Sequence, residues 1–393
     1  MRPIIENVRT TGDRAVRFYN KKFGGGAGVF KVNREEIVVA YKSTDKFLLR
    51  SLRLAKRNIE IFHKQNLCGQ REVVQTARGV RVWREFRPIE KVGLYVPGGK
   101  AAYPSTVLML AVPAQIAGCS QIIMTTPADS LGKCNPAVLV AADLCGVKEI
   151  YKIGGVQAVA ALAYGTETIP RVYKIFGPGN QYVTTAKMLV YGTVDIDMPA
   201  GPSELAVIAD NSAPPTWVAA DLLTQLEHGE DSQSILITWS GDLARQVINE
   251  INNQLPQLDR RKIIEKSLRR SFVVLVKDWR EAARIASEYA PEHLEIISRE
   301  EKNILGKINN AGSIFLGPYT CEPLGDYATG ANHTLPTSGY AKMFSGLSVE
   351  SFGKKIQVQK VSRSGWNNIK KAVTTIARAE GLDAHEKAVL IRR

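Results

Sequence analysis

From Leu94 onward one order repeats along the chain: an apolar run, a glycine turn, a helix-like segment, then another apolar run. "VGLYV" leads through "PGGKAAYPS" to the helical "TVLMLAVPAQIAG" and the run "QIIMTT"; "PAVLVAADLCG" precedes "EIYKI", and "VQAVAALAYG" precedes "RVYKIFGPGN". Short apolar runs alternating with helices predict parallel strands with right-handed crossovers, because such strands are covered on both faces and need a helix to return the chain. The pattern therefore predicts an α/β layered fold.

"IDMPAGPSE" (Ile196–Glu204), dense in Pro and Gly, reads as a crossing between domains. A second series follows it: "ELAVIA", helix "TWVAADLLTQLEH", strand "SILITWS", helix "DLARQVINEINNQL", strand "FVVLV" and helix "WREAARIASEYA". The two series are alike in architecture, as an internal duplication would leave them. Ahead of them residues 1–66 read as helices, Ile4–Phe23 and then Arg34–Ala40 running on through Asp45–Gln65, separated by "GGGAG" (Gly24–Gly28). "VRVWREFRPI", near residue 80, is β-rich. After Gly325 comes a glycine-rich loop region, and "WNNIKKAVTTIARAEG" predicts a closing helix.

With 393 residues, 45% of them hydrophobic, the chain can bury two or three cores. No segment approaches the roughly 18 unbroken apolar residues of a membrane span, and "MRPIIENVRTTGD" lacks the apolar stretch of a signal peptide. A cytoplasmic protein is the expectation. The five cysteines (Cys68, Cys119, Cys134, Cys145, Cys321) are widely spaced, without a C-x-x-C pair, and are expected to be reduced and mostly buried. Of the net charge of +14, residues 1–91 carry +12, from 21 Lys+Arg against 9 Asp+Glu. These cations are interleaved with apolar residues at helical spacing, as in "FLLRSLRLAK" (Phe47–Lys56), which predicts solvated helix faces rather than a nucleic-acid surface.

Four of the five histidines stand in acid-, amide- or glycine-rich contexts: His228 in "QLEHG", His293 in "APEHLE", His333 in "GDYATGANHTLP" and His385 in "AEGLDAHEK". On a helix ending near Gly229, Gln225 and His228 lie three residues apart and share a face, while Glu227 points away. A histidine in a last helical turn, capped by Gly229, also fits the helix dipole, so spacing alone leaves His228 between ligand and helix end. Asp326, in the loop-like "PLGDYATG", could add a hard oxygen, and His385 a second imidazole. Imidazole, carboxylate and amide without thiolate suit Zn²⁺, Mn²⁺ or Co²⁺ in an open site. The adjacent Glu292 and His293 could form a proton-transfer pair. The turns "YVPGGK" and "FGPGN" follow strands and could bring backbone N–H groups to phosphates, although neither is G-x-G-x-x-G.

Taken together, these segments resemble the histidinol dehydrogenases. The runs that carry the resemblance are "VGLYVPGGKAAYPSTVLMLAVPAQIAGC", "GGVQAVAALAYGTETIPRVYKIFGPGNQYVTTAK", "DIDMPAGPSE", "DLLTQLEHGEDSQ", "APEHLE", "AGSIFLGPYTCEPLGDYATGANHTLPT" and "AEGLDAHE", in order from about residue 4 to the C-terminus. The resemblance implies a zinc- and NAD⁺-dependent enzyme, with one Zn²⁺ per subunit, that oxidises L-histidinol to L-histidine in two NAD-linked steps through an enzyme-bound aldehyde. By matching motif it implies Gln225, His228, Asp326 and His385 as zinc and substrate ligands, the last from the partner subunit of an intertwined homodimer. It implies His293 as general base and substrate contact, and Glu292 as the group that activates water. Ser203, His333 and Glu380 match substrate positions, and Tyr95, Gln157 and Asn180 match NAD positions. Relative to the family the chain begins a few tens of residues late and ends soon after His385, and both ends take part in dimer packing there. A paralogous zinc/NAD dehydrogenase of another small alcohol, such as sulfopropanediol, is the alternative; a nucleic-acid or membrane partner is not expected.

The expected architecture is two incomplete Rossmann-like α/β domains of similar build, with a helical N-terminal region and a C-terminal helical tail. Residues 1–93 with 205–346 form the first domain, 94–204 the second, NAD-binding one, and 347–393 the dimerisation tail.

Overall fold

The computed structural model describes residues 1–26, 29–65, 72–98, 102–199 and 201–392. Cys68, Gly28 of the first glycine linker, and Gly99 and Lys100 of "YVPGGK" lie outside the described residues. The chain divides into two compact units, residues 1–66 with 89–352, and residues 67–88 with 353–393.

The second unit contains the hairpin β1 (Val74–Ala77) and β2 (Val80–Pro88). The first contains two five-stranded, wholly parallel sheets. One comprises β3 (Lys91–Tyr95), β4 (Gln121–Thr125), β5 (Glu149–Tyr151), β6 (Lys174–Phe176) and β7 (Asp195–Ile196), in the order β5-β4-β3-β6-β7. The other comprises β8 (Glu204–Ala209), β9 (Gln233–Thr238), β10 (Phe272–Leu275), β11 (His293–Ile297) and β12 (Ser313–Leu316), in the order β10-β9-β8-β11-β12. Both orders are 3-2-1-4-5, the Rossmann order without its sixth strand. The expected pair of incomplete Rossmann-like domains is what the chain forms, and the similarity of the two series is topological.

The apolar runs are buried for the reason their composition suggests. The helix Pro104–Ala117 is hydrophobic all round, and Val107 to Val112 are all buried. Each such side chain contributes about 1.5–3 kcal/mol relative to exposure, so a charge at Leu110 is the single change that would break this layer. The predicted N-terminal helix is two, Arg2–Thr11 and Asp13–Lys22, interrupted at Gly12. Arg34–Ser43 starts with an Asn33–Glu36 capping box and is separate from Lys46–Gln65, whose first turn donates the Phe47 and Leu48 N–H groups to Asp45.

In the second unit β13 (Gly353–Val361) pairs antiparallel with β2 over its whole length, so residues 347–393 are not helical throughout as expected. The hairpin, read with the N-terminal helices, forms one unit with this strand instead. "KKIQVQKV" alternates as a strand does, yet is largely exposed and strongly charged, and its pairing comes from β2, far away in sequence. Two helices, Arg363–Ala379 and Asp383–Leu390, follow. No helix among the described residues is long and apolar enough to cross a membrane.

Candidate active site

Ligands of doubly wound sheets gather at the carboxyl ends of the strands where the order reverses. In the first sheet that point lies between β3 and β6, and a cavity of about 1380 Å³ opens there. Its walls include Tyr95 at the end of β3, Gly98 after it, Pro127 after β4, Gln157 after β5 and Asn180 after β6, so the three residues matched to NAD positions line one cavity. Gly177 makes the approach possible: its φ is +126°, and a Cβ there would sit 2.0 Å from the Tyr95 carbonyl oxygen. The Tyr95 hydroxyl accepts the Gly155 N–H at 3.0 Å, which fixes the turn ahead of Gln157. Gln157 is buried, with Oε1 unpartnered among the described residues. Asn180 caps the next helix, its Oδ1 accepting the Tyr182 and Val183 N–H groups. Beneath this loop a buried ion pair joins Lys187 Nζ to Asp197, whose other oxygen accepts the Gly177 N–H at 2.7 Å.

In the second sheet the carboxyl end is closed at the corresponding point. Asp210, after β8, accepts from the Ser298 hydroxyl and the Arg299 N–H after β11, and the Ser212 N–H and hydroxyl fill its other oxygen. The polar groups gather instead at the amino ends of β8 and β11. Pairing of His293 with Leu205 and Ser313 sets the register that brings Ser203, Glu204 and Glu292 alongside. The approach to β11 is constrained. Ala290 adopts φ +57°, sparsely populated for a residue with a side chain, and Pro291 follows it directly. Gly312 runs so close that a Cβ would lie 2.5 Å from the Glu292 carbonyl oxygen.

Glu292 and His293 are both buried. Glu292 Oε2 accepts the Glu204 N–H at 2.9 Å, and burial pushes its carboxyl up to about 8. His293 Nδ1 faces the Glu204 carbonyl at 3.3 Å and Glu292 Oε2 at 3.8 Å, and its Nε2 lies 3.6 Å from Asp326 Oδ1. Burial disfavours the imidazolium, but the Glu292 and Asp326 carboxylates outweigh it and raise His293 to about 10. Asp326 is held well below the usual carboxylate range: burial opposes ionisation, and His293 and His333 override it. His333 spans two elements, with Nδ1 at 3.0 Å from the Asp326 carbonyl and Nε2 at 3.3 Å from the Thr106 hydroxyl.

The helix carrying Gln225 ends at Leu226, two residues earlier than expected, so His228 stands beyond it on a turn, where its N–H reaches the Gln225 carbonyl at 3.4 Å. That removes the last-turn reading of His228. Its imidazole is held below its ordinary value, first by burial and then by the charges of His293 and His333, with Asp326 opposing. Among the described residues Gln225 is buried with neither amide atom partnered, and Asp326 Oδ1 and His293 Nε2 are likewise buried and unpartnered. The Gln225 amide and Asp326 carboxylate left without protein partners, with the His228 imidazole near Asp326, form a donor set suited to a divalent cation. Glu227 is exposed.

Glu380 and His385 lie in the second unit, at the end of Arg363–Ala379 and on Asp383–Leu390, and both are exposed. Sequence reasoning assigned no role to Glu204 or Glu322. Glu322 is 2% exposed, on the short helix Glu322–Tyr327; burial and then the Asp326 charge raise its carboxyl to about 8. Its spacing of four from Asp326 was the available signal. Among the described cysteines Cys134 and Cys145 are buried and Cys119 and Cys321 partly so, all free.

Parallel sheets in this order, one with a switch-point cavity and the other with buried acid and imidazole groups, define an α/β enzyme of the doubly wound class. The sequence model described as histidinol dehydrogenase matches residues 1–393. The chain is 53% identical over 395 residues to the histidinol dehydrogenase of Bacteroides fragilis, covering 100% of this chain and 92% of that one. It is 48% identical over 387 residues to that of Methanocaldococcus jannaschii, covering 98% and 90%. The crystal structure of histidinol dehydrogenase from Elizabethkingia anophelis matches with a TM-score of 0.97 at 46% identity, over 99% of this chain and 90% of that one. An acetylating aldehyde dehydrogenase from Geobacillus thermoglucosidasius, 14% identical with a TM-score of 0.53 over 92% and 96%, shares the fold alone. The chain belongs to the histidinol dehydrogenase family and is an NAD-dependent oxidoreductase of histidine biosynthesis.

Proposed function

We propose that the enzyme oxidises L-histidinol to L-histidine with two NAD⁺, through L-histidinal retained at the site, and that it requires Zn²⁺. The observation that carries this reading is the buried, unpartnered set of Gln225, Asp326 Oδ1 and His293 Nε2 around His228. A zinc ion held by Gln225, His228, Asp326 and His385 of the partner subunit would orient the amine and imidazole nitrogens of the substrate. Glu380 and His385, standing exposed on the C-terminal helices, support a homodimer with shared sites.

His293 takes the hydroxyl proton as hydride passes from the carbinol carbon to the nicotinamide. Asp326 is one of the three carboxylates, with Glu292 and Glu322, that hold a proton on His293, and sharing it with a cation would loosen that hold. Glu292, its carboxyl raised by burial, then takes a proton from water as the water adds to the aldehyde carbon, and protonated His293 returns its proton to the aldehyde oxygen, which regenerates the base. The second hydride leaves the hydrated aldehyde for the second NAD⁺, His293 accepts a hydroxyl proton once more, and the carboxylic acid formed ionises as the product departs. Ser203 and His333 contact the substrate, and Tyr95, Gln157 and Asn180 the NAD.

The test is stoichiometry. Zinc-loaded protein given L-histidinol is expected to reduce two NAD⁺ per substrate and release histidine. Turnover of only another small alcohol, such as sulfopropanediol, overturns the reading.

A further inference from the structure

We propose that Glu322 is an additional ligand of this metal site, occupying in the substrate-free enzyme a position on the cation that the substrate takes over on binding. The inference rests on the metal-dependent reading above and adds a residue to it.

Placement is the first observation. A carboxylate oxygen of Glu322, one of Asp326 and a ring nitrogen of His228 all lie within 4.8 Å of one another. Ligands about 2.0–2.2 Å from one tetrahedral zinc stand about 3.3–3.6 Å apart, so a closure of about 1.5 Å at most brings the three onto one ion. Glu322 and Asp326 stand one turn apart on the same short helix and share a face.

The second observation is an unmet need for charge. Glu322 is 2% exposed; among the described residues its Oε1 has no hydrogen-bond partner, and its Oε2 accepts the Thr224 hydroxyl at 3.3 Å. The positive charge that acts on it is that of His293, which Glu292 and Asp326 share, while the neighbouring Asp326 carboxylate repels it. A buried carboxylate in that state is costly unless a cation balances it.

Third, the position is built rather than incidental. Glu295, buried on β11, accepts the Glu322 N–H at 2.7 Å, so the sheet that carries His293 also fixes the start of the Glu322 helix. One oxygen of Glu322 is thus tethered through Thr224, next in sequence to Gln225, and among the described residues the other is left without a hydrogen-bond partner.

Substrate release follows from the count of donors. With histidinol bound, its two nitrogens fill the sphere beside the protein ligands; without it those positions are open. Glu322, one methylene longer than Asp326, can take one of them and withdraw without disturbing Asp326.

Cobalt-substituted full-length wild type and Glu322→Gln would be compared by visible absorption, with and without L-histidinol, and by zinc retention against a chelator. The substrate-free spectra are expected to differ and the histidinol-bound spectra to superimpose. Zinc retention by the variant should be weakened about 10- to 100-fold without substrate, the range for disturbed metal surroundings, and restored with it. Glu322→Asp, which keeps the charge but not the reach, should behave like Glu322→Gln, and serves if the amide variant fails to fold. Identical substrate-free spectra and retention overturn the Glu322 assignment alone. Failure of wild type to take up either metal overturns the metal-dependent reading, and this inference with it.

Discussion

His293 Nε2 lies 3.6 Å from Asp326 Oδ1, and among the described residues neither atom has a hydrogen-bond partner. The pair is poised for third parties, a cation for the carboxylate and a substrate hydroxyl for the imidazole. The two side chains therefore have separable roles. His293→Asn is expected to leave zinc content unchanged by elemental analysis while slowing both oxidations by about 10²–10⁴-fold, the range for a lost general base. Emptying of the metal site by this substitution would merge the two roles and sink the division.

His228→Asn and Asp326→Asn should do the converse. Altered residues around a metal cost about 10- to 100-fold in affinity even when they are not ligands, so direct ligands should lose more. After exhaustive dialysis both variants are expected to retain a small fraction of the wild-type zinc. Full occupancy in either would remove that residue from the ligand set.

The layered fold was legible because strands buried on both faces must be apolar and must be separated by helices, so their composition marks them locally. β13 was not: its lysines and glutamines read as solvent-facing, and only β2 makes it a strand. Gln225 and His228 could be paired from spacing, but the helix stops at Leu226 and a turn supplies the reach that helical geometry was expected to give. Glu322 was invisible for a related reason. In "TCEPLGD" it looks like a surface acid, and its burial depends on Glu295, which belongs to a strand formed elsewhere in the sequence. Roles, as distinct from positions, came from the family resemblance, since an acid beside an imidazole is common without catalysis.

Lys187 and Asp197 form an ion pair in which both side chains are buried, and Asp197 also accepts the Gly177 and Met198 N–H groups. Lys187→Met should strand Asp197 as an unpaired buried charge and cost about 3–5 kcal/mol in urea unfolding. Adding Asp197→Asn, which removes the charge but can still accept an N–H, should recover a large part of that loss. A double variant no more stable than the single one would place the cost in packing rather than charge.

His63 offers a pH dependence away from the active site. It is buried on the helix Lys46–Gln65, with no hydrogen-bond partner for either ring nitrogen among the described residues, and burial lowers it to about 4. In the unfolded chain it titrates near its ordinary value of about 6.5. Above that value neither state binds the proton and His63 contributes no pH slope. As pH falls from about 6.5 toward 4 the unfolded chain takes up a proton that the folded one refuses, so stability is lost across that window. His63→Leu should flatten the acid limb of a urea-midpoint-against-pH profile between pH 6.5 and 4, and leave the profile above pH 7 without a new slope. An unchanged acid limb would assign the acid sensitivity to other groups.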